Sequence, residues 1–379
     1  MSMDFNLPDD VRSVRDMVNG FMTREVVPVV SELERDSSLM VDIFKKMGKL
    51  GLLGITIPEE FGGSGMDFLT FGVVLEEVSY FSGSLALSYG AHSNLVLDNI
   101  LRNGSAEQQE EFIPPMVKGE RIGSLCLTEP GAGSDAIGSM RTNYVRTGAA
   151  YVLNGTKTFI TNAPLGSTFL IYAREVNNYS AFVVKREDGI ETPHQFEKLG
   201  VRGSPTGDVV MRDVSIPLNR ILGREGEGKR IVYGGLNAER AIFAFLPLGL
   251  ARRALDESIR YCLQREQFGQ PLSESELIQE KIAYMFTKIE AARLLAYKAA
   301  KMAGENVKDP SYAAASIMNS SEMATQVTKE ALQIFGRYGY STDFPVERLF
   351  RDSIIAEIGA GTTEIRKIVI ARYILEKLH

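Results

Sequence analysis

The sequence predicts a multidomain α+β fold, with a helical N-terminal domain over residues 1–120, a central antiparallel β-domain over 121–225 and a C-terminal helical bundle domain over 226–379. Three observations carry this prediction. Apolar spacings of three and four run up to Glu120. Short β-branched segments separated by Gly, Asn and Asp follow it. Long Ala-rich stretches with few breakers return after Gly234.

In the first part, VRSVRDMVNGFMTREVVPVVSEL (11–33) and MVDIFKKMGKLGLL (40–53) place Lys and Glu between apolar residues at helical spacing. IPEEFGGSG (57–65) reads as a loop. LTFGVVLEEVSYFSGSLALSYGAHSNLVLDNILRNG (69–104) is apolar enough to be a buried helix pair. In the middle part, YVLNGTKTFITN, TFLIYARE, SAFVVKRE and DVVMRDVSI read as strands, with Asn154-Gly155 as a hairpin turn. In the last part, IAYMFTKIEAARLLAYKAAKMAG (282–304) and YAAASIMNSSEMATQVTKEALQIFG (312–336) predict helices long enough to pack as a bundle.

Composition narrows the function classes. The chain has 379 residues, 44% apolar and 24% charged, which describes a folded protein with a large core. A net charge of −6 argues against general nucleic-acid affinity, which needs a concentrated basic surface. Cys126 and Cys262 sit among apolar residues and read as buried thiols in a reducing compartment. His92, His194 and His379 are far apart and no HExxH or CxxC occurs, so no metal site is expected. The start, MSMDFNLPDDVRSV, lacks the apolar core of a signal or transit peptide, and no run has the length of a membrane span. A cytoplasmic location is the expectation.

Three stretches carry candidate chemistry. LCLTEPGAGSD (125–135) has glycines that let a backbone approach a ligand, with hydroxyls from Thr128 and Ser134; an ordinary surface turn is the alternative. It has neither a Rossmann nor a Walker pattern. In NGTKTFITNA (154–163), Phe159 and Thr161 alternate onto one strand face, which suits a flat conjugated ring or an ordinary hairpin. In GGLNAERAIFAFLPLGLARRALDESI (234–259), Glu239 and Arg240 stand at the head of an apolar helix. Glu239 is there either a first-turn residue favoured by the helix dipole, or a partly buried carboxylate suited to taking a proton.

LCLTEPGAGSD, GTKTFITN, KLGVRGSPTGDVV, QREQFGQPL, ALQIFGRYGY and RDSIIAEIGAGTTEIRK, in this order and spacing, resemble the acyl-CoA dehydrogenase family over essentially the whole chain. The resemblance implies that family's fold, in which the C-terminal domain is a four-helix bundle. It also implies noncovalent FAD, a homotetramer and electron transfer flavoprotein as the electron acceptor. LSYGAHSNL (87–95), Glu239-Arg240, DFPVERLFRD (343–352) and EIGAGT (357–362) look most like the isovaleryl-CoA dehydrogenase subgroup. Many relatives place the catalytic glutamate where this chain has Ala360; the isovaleryl and long-chain subgroups carry it at the position of Glu239.

The implied reaction is α,β-dehydrogenation of a short acyl-CoA thioester, with Glu239 as the base and the β-hydrogen leaving as hydride to the flavin. The resemblance assigns the thioester oxygen to the Ala360 N–H and a ribityl hydroxyl of FAD. Leu125, Leu127, Thr128, Gly133 and Ser134, with Phe159, Ile160 and Thr161, would wrap the isoalloxazine. Thr362, Thr363 and Glu364 would hold FAD from the C-terminal domain. Arg265 and the loop Gln333 to Arg337, with Phe335 and Gly336, would reach the cofactor of a neighbouring subunit, and Phe268 would also bind the cofactor. Ser134, Asn237, Arg240, Ala360 and Gly361 would line the thioester path.

The match departs from the family in three places. Gly336-Arg337 stands where a Gly-Gly is usual, so Arg337 is either an exposed loop residue or an added cation near the FAD pyrophosphate. Ser275-Glu276 replaces a Phe-Gln, and glutamate cannot donate as glutamine does. Phe245 and Leu246 replace two glycines on the helix that bears Glu239, and side chains pointing inward there would make the acyl pocket shallower. Butyryl-CoA is therefore an alternative substrate. A flavin oxidase or monooxygenase on the same scaffold, and a non-catalytic acyl-CoA or protein-binding module, are the competing readings.

Overall fold

Helices occupy the N-terminal third: Asp9–Phe21 (α1), Val30–Leu33 (α2), Met40–Lys49 (α3), Phe68–Phe81 (α4), Gly83–Gly90 (α5), Asp98–Asn103 (α6) and Ala106–Val117 (α7). The computed structural model describes residues 7–305, 307 and 309–377, so His379 lies outside the described residues. The Asp67 and Ser82 side chains cap the N-termini of α4 and α5, and Ser105 with Gln108 forms a capping box on α7. These caps divide the apolar run 69–104 into separate helices. Ala91–Leu97, between α5 and α6, winds as a π-helix, a form that recurs at functional sites.

The middle third contributes Gly123–Cys126 (β1), Asn143–Thr147 (β2), Ala150–Thr161 (β3), Thr168–Glu175 (β4), Asn178–Lys185 (β5), Thr206–Pro217 (β6) and Ile221–Leu222 (β7). They form one sheet in the order β6-β3-β2-β4-β5-β7, with β1 also paired to β4. The sheet is mixed, not antiparallel throughout: one edge of β4 takes β1 and then the start of β2, both parallel. Residue alternation identifies strands but carries no direction, and the long 127–142 connection lets the chain re-enter the sheet without a hairpin.

The Asn154-Gly155 hairpin is also corrected. Both residues lie inside β3, at a bulge opposite β6 where a Cβ on Gly155 would come within 2.6 Å of Thr142 Oγ1. The reversal from β2 to β3 falls instead at Gly148, with φ 58°. A second bulge, between Lys157 and Ile160, puts Phe159 at φ 54° and turns its ring outward.

Both faces of β4 and β5 are covered. Leu170, Tyr172, Ala181 and Val183 pack towards the helices, whereas Phe169, Ile171, Phe182 and Val184 pack against β3 and β6.

Helices return with Gly228–Phe243 (α8), Phe245–Gln264 (α9), Glu276–Gly304 (α10), Pro310–Phe335 (α11), Val346–Ser353 (α12), Ile355–Ile358 (α13) and Thr363–Lys377 (α14). A small hairpin, Glu266–Gln267 (β8) with Gln270–Pro271 (β9), follows α9. α11 packs along α9, α10 and α14, and α4 crosses onto α9, which joins the N-terminal helices to the bundle in one continuous core. No helix among the described residues is long and apolar enough to cross a membrane.

Candidate active site

The uncharged run AIFAFLPLGL does not form one helix headed by Glu239. α8 ends at Phe243 and α9 begins at Phe245, because Pro247 has no N–H to offer the Phe243 carbonyl four residues back. Glu239 therefore sits near the C-terminal end of α8, where the helix dipole disfavours a carboxylate. The first-turn reading of this residue fails. Glu239 is enclosed on most sides but keeps some solvent access. Burial pushes its carboxyl up to about 7, while the Arg240 and Arg366 guanidiniums pull it back down.

Its α8 neighbours Arg240 and Phe243 meet the turn between α13 and α14. Gly359 ends α13, then Ala360 and Gly361 adopt φ of 56° and 90°, and Thr362 caps α14 through its Oγ1 and the Ile365 N–H at 3.4 Å. The left-handed Ala360 costs about 1–2 kcal/mol and is held by arginines. Arg240 Nε donates to the Ala360 carbonyl at 3.3 Å. Arg366, wholly buried, donates to the carbonyls of Ala356 and Gly359 and to Ser321 Oγ. No acceptor among the described residues takes the Ala360 N–H. Glu239, Arg240, Ala360 and Gly361 are thus assembled, with Gly361 so close to Arg240 that an added Cβ would lie 3.5 Å from Nη2. Asn237, half-buried, is two residues before Glu239 on α8, and Ser134 lies exposed on the 127–142 loop.

A second group lies on the sheet. The Thr158 N–H donates to Thr128 O at 2.9 Å, which joins Leu125, Leu127 and Thr128 to Phe159, Ile160 and Thr161. Beneath them is a charge pair that sequence reading missed: Lys157 Nζ, fully buried, meets Glu129 Oε1 at 2.9 Å and Leu127 O at 3.1 Å. Glu129 also accepts the Arg141 and Thr142 N–H groups. Its only sequence signal is a charge in the middle of a strand run. Leu127 and Ile160 are buried and can offer only backbone, whereas Phe159 is 62% exposed and stacks on Phe196 at 4.4 Å. Gly131 and Gly133 have open space where a side chain would stand.

A third group lies beyond α9 and α11. Arg265 and Arg337 both approach the Tyr338 ring, at 5.9 and 5.3 Å, and neither is in an ion pair among the described residues. Gln333 and Gly336 line a cavity of about 280 Å3, and Phe268 is fully exposed on its hairpin. Phe335 is buried, stacked on Tyr261 and edge-on to Phe344, so its ring is not on offer to a ligand. Thr363 is buried, with its hydroxyl turned to the Glu357 carbonyl, while Glu364 is exposed.

Phe245 and Leu246 do not narrow the site. Phe245 stacks on Tyr297 and fills the space beside Gly72, and Leu246 is buried in the same core. The residue on the Glu239 face is Phe243, one turn on, whose ring is 3.9 Å from where a Gly359 Cβ would be. Tyr172 of β4 was also missed: it is buried, its hydroxyl has no partner among the described residues, and its pKa is raised by burial and by the nearby Glu239.

These groups fit a flavin dinucleotide. Phe159 offers an aromatic face, the glycines of the 127–142 loop leave room for close backbone approach, and two guanidiniums outside any ion pair among the described residues suit a diphosphate.

Comparison with known proteins gives the family. Residues 8–120 match the acyl-CoA dehydrogenase N-terminal domain, 124–214 the middle domain and 226–375 the C-terminal domain. The chain is 39% identical to the mitochondrial isovaleryl-CoA dehydrogenase of Pongo abelii, over 97% of this chain and 89% of that protein. The solved butyryl-CoA dehydrogenase of Megasphaera elsdenii superposes with a TM-score of 0.94 at 34% identity, covering 98% of this chain and 100% of that one. An acyl-CoA dehydrogenase of Bacillus anthracis solved in complex with FAD gives 0.94 at 31% identity, over 98% of this chain and 68% of that one. With the helical, sheet and bundle domains all matched in order, the chain belongs to the acyl-CoA dehydrogenase family.

Proposed function

We propose that this chain carries out FAD-dependent α,β-dehydrogenation of a short or branched short-chain acyl-CoA, isovaleryl-CoA-like, to the 2-enoyl-CoA. The observation that carries this reading is Glu239, its carboxyl near neutrality, beside the Arg240 that holds the turn whose Ala360 N–H has no acceptor among the described residues. FAD, when held by these residues, would supply the hydride acceptor for the β-hydrogen.

The protein supplies the rest. The Ala360 N–H binds the thioester oxygen, on which negative charge grows as the α-proton leaves; a donor of this kind lowers such a barrier by about 3 kcal/mol. Glu239 takes the proton, and a carboxyl near 7 is ionised often enough to do so while remaining basic. Arg240 keeps the turn and the base in one frame. Phe159, Thr128 and Thr161 seat the flavin ring, and Thr362 and Glu364 hold the cofactor from the α14 side. Phe243 walls the acyl end, which favours a short chain.

Arg265, Phe268, Gln333 and Arg337 serve FAD in a neighbouring subunit, and the assembly is a homotetramer. An apolar groove of about 390 Å3 between α9 and α10, lined by Leu255, Ile259, Leu263, Ile278 and Phe286, supports self-association. Electron transfer flavoprotein is the acceptor, and the location is cytoplasmic.

The test is an anaerobic visible spectrum before and after adding isovaleryl-CoA or butyryl-CoA. Bleaching of the flavin band by isovaleryl-CoA supports the reading. Equal or faster bleaching by butyryl-CoA moves the substrate to the straight chain, and rapid oxygen uptake during turnover would point to an oxidase.

A further inference from the structure

Loop 198–205, which leads into β6, is gripped by both helical regions. Asp352, at the end of α12 and 1% exposed, accepts the Val201 N–H through Oδ1 at 2.6 Å. Next to it, Gly200 lies so close to the Arg351 carbonyl that a Cβ would stand 2.2 Å from the oxygen. From the N-terminal side, Glu34 accepts the Arg202 and Gly203 N–H groups at 3.2 and 3.4 Å and bonds Ser84 Oγ. Ser88 Oγ meets Ser204 Oγ at 2.8 Å, and Lys198 Nζ donates to Ser204 O at 2.8 Å.

This grip holds Val201 at φ 44°, a conformation that β-branched residues avoid. Just beyond it, Pro205 O accepts the Asn162 N–H at 2.7 Å, and Thr206 and Gly207 pair with Thr161 and Ile160. Asn162 is itself left-handed at φ 66°, with its amide fixed to Ser88 O and Gly123 O. A chain of short contacts thus runs from Asp352 through Val201 to strand end 159–162. Asp352 is costly to keep: burial and then Glu34 push its carboxyl up to about 7, against the pull of the Val201 N–H, Arg348 and Arg351. An apolar residue would avoid that cost but could not hold the Val201 N–H.

We propose that Asp352 is a positioning residue for the flavin: by fixing Val201 in its strained turn, it sets where β6 holds Ile160 and Thr161, and with them the bulge that carries Phe159. This rests on the cofactor placement given under Proposed function.

The test measures FAD affinity of the apoprotein and visible circular dichroism of the bound flavin. The variants are Asp352→Ala, Asp352→Asn, the double variant Asp352→Ala with Val201→Gly, and Arg252→Ala as a control. Arg252 pairs with buried Glu76 and Glu77, away from the flavin strand. Asp352→Ala should weaken FAD about tenfold or more and alter the flavin dichroism, as expected for a lost charge-assisted hydrogen bond. Asp352→Asn keeps an acceptor and should stay within about threefold. Glycine takes φ 44° without help, so Val201→Gly should restore the Asp352→Ala affinity to within about threefold of wild type. Arg252→Ala should lower thermal stability and leave the dichroism unchanged.

Wild-type affinity and dichroism in Asp352→Ala overturn the proposal, and so does an equal FAD loss in Arg252→Ala. Should Asp352→Ala not fold, a folded double variant still about tenfold weaker than wild type, with Asp352→Asn equally weak, overturns it. A wild-type apoprotein that binds no FAD refutes the cofactor reading itself, and this inference with it.

Discussion

The Arg240 guanidinium stands between the two halves of the site, with Nε 3.3 Å from the carbonyl oxygen of Ala360 and its charge beside Glu239. Arg240→Ala should release the left-handed turn and lower kcat/KM for acyl-CoA by about tenfold to a hundredfold, the usual loss for a hydrogen bond to a charged group. Because Arg240 holds the Glu239 carboxyl down, its removal should also move the acid limb of the pH profile upward. Steady-state kinetics over a pH series read both effects.

For the wild type, kcat/KM should rise with pH through about 7, since Glu239 must be ionised to take a proton. Stability should run the other way. Glu239 and Asp352, both raised to about 7, and Asp98, raised to about 6, bind protons more tightly folded than unfolded. Their contribution is complete below the ordinary carboxylate range and is lost as pH rises through about 6 to 7. Calorimetry of the holoenzyme should show a melting temperature that falls across this window, with a smaller fall in Glu239→Gln.

Lys157→Met should be severe. It leaves Glu129 buried without its cation, a change that costs about 3–5 kcal/mol. The pair also ties Leu127 to the strand bearing Phe159, so FAD should be retained less well. Chemical denaturation and cofactor titration measure the two losses separately.

Phe245→Ala should destabilise by about 3–5 kcal/mol through the cavity left beside Gly72 and Tyr297. It should not change the preference among acyl chains. Phe243→Ala should change that preference towards longer chains, because Phe243 lies on the Glu239 face. Relative kcat/KM for butyryl-, isovaleryl- and octanoyl-CoA distinguishes the two positions.

These contrasts show what sequence could and could not reveal. Periodicity located the long helices and most strands, because burial of one face imposes it. The mixed pairing of β4, the bulge at Gly155 and the break at Ala244 depend on partners distant in the chain or on one missing N–H. The same holds for Phe245, whose inward-looking position on the run AIFAF proved to face α4 and α10 instead of the site. Glu239 and the Gly-Ala-Gly turn were legible as local motifs. Lys157, Arg366 and Asp352 were not, since a buried charge is recognised only by the partners that satisfy it.

The central claim is that Glu239 removes the α-proton. The most direct measurement is rapid-mixing anaerobic reduction of bound flavin by excess acyl-CoA, comparing Glu239→Gln with wild type at equal FAD content. Reduction of the Glu239→Gln flavin should be slower by about a hundredfold or more; reduction at the wild-type rate would mean that another group removes the α-proton.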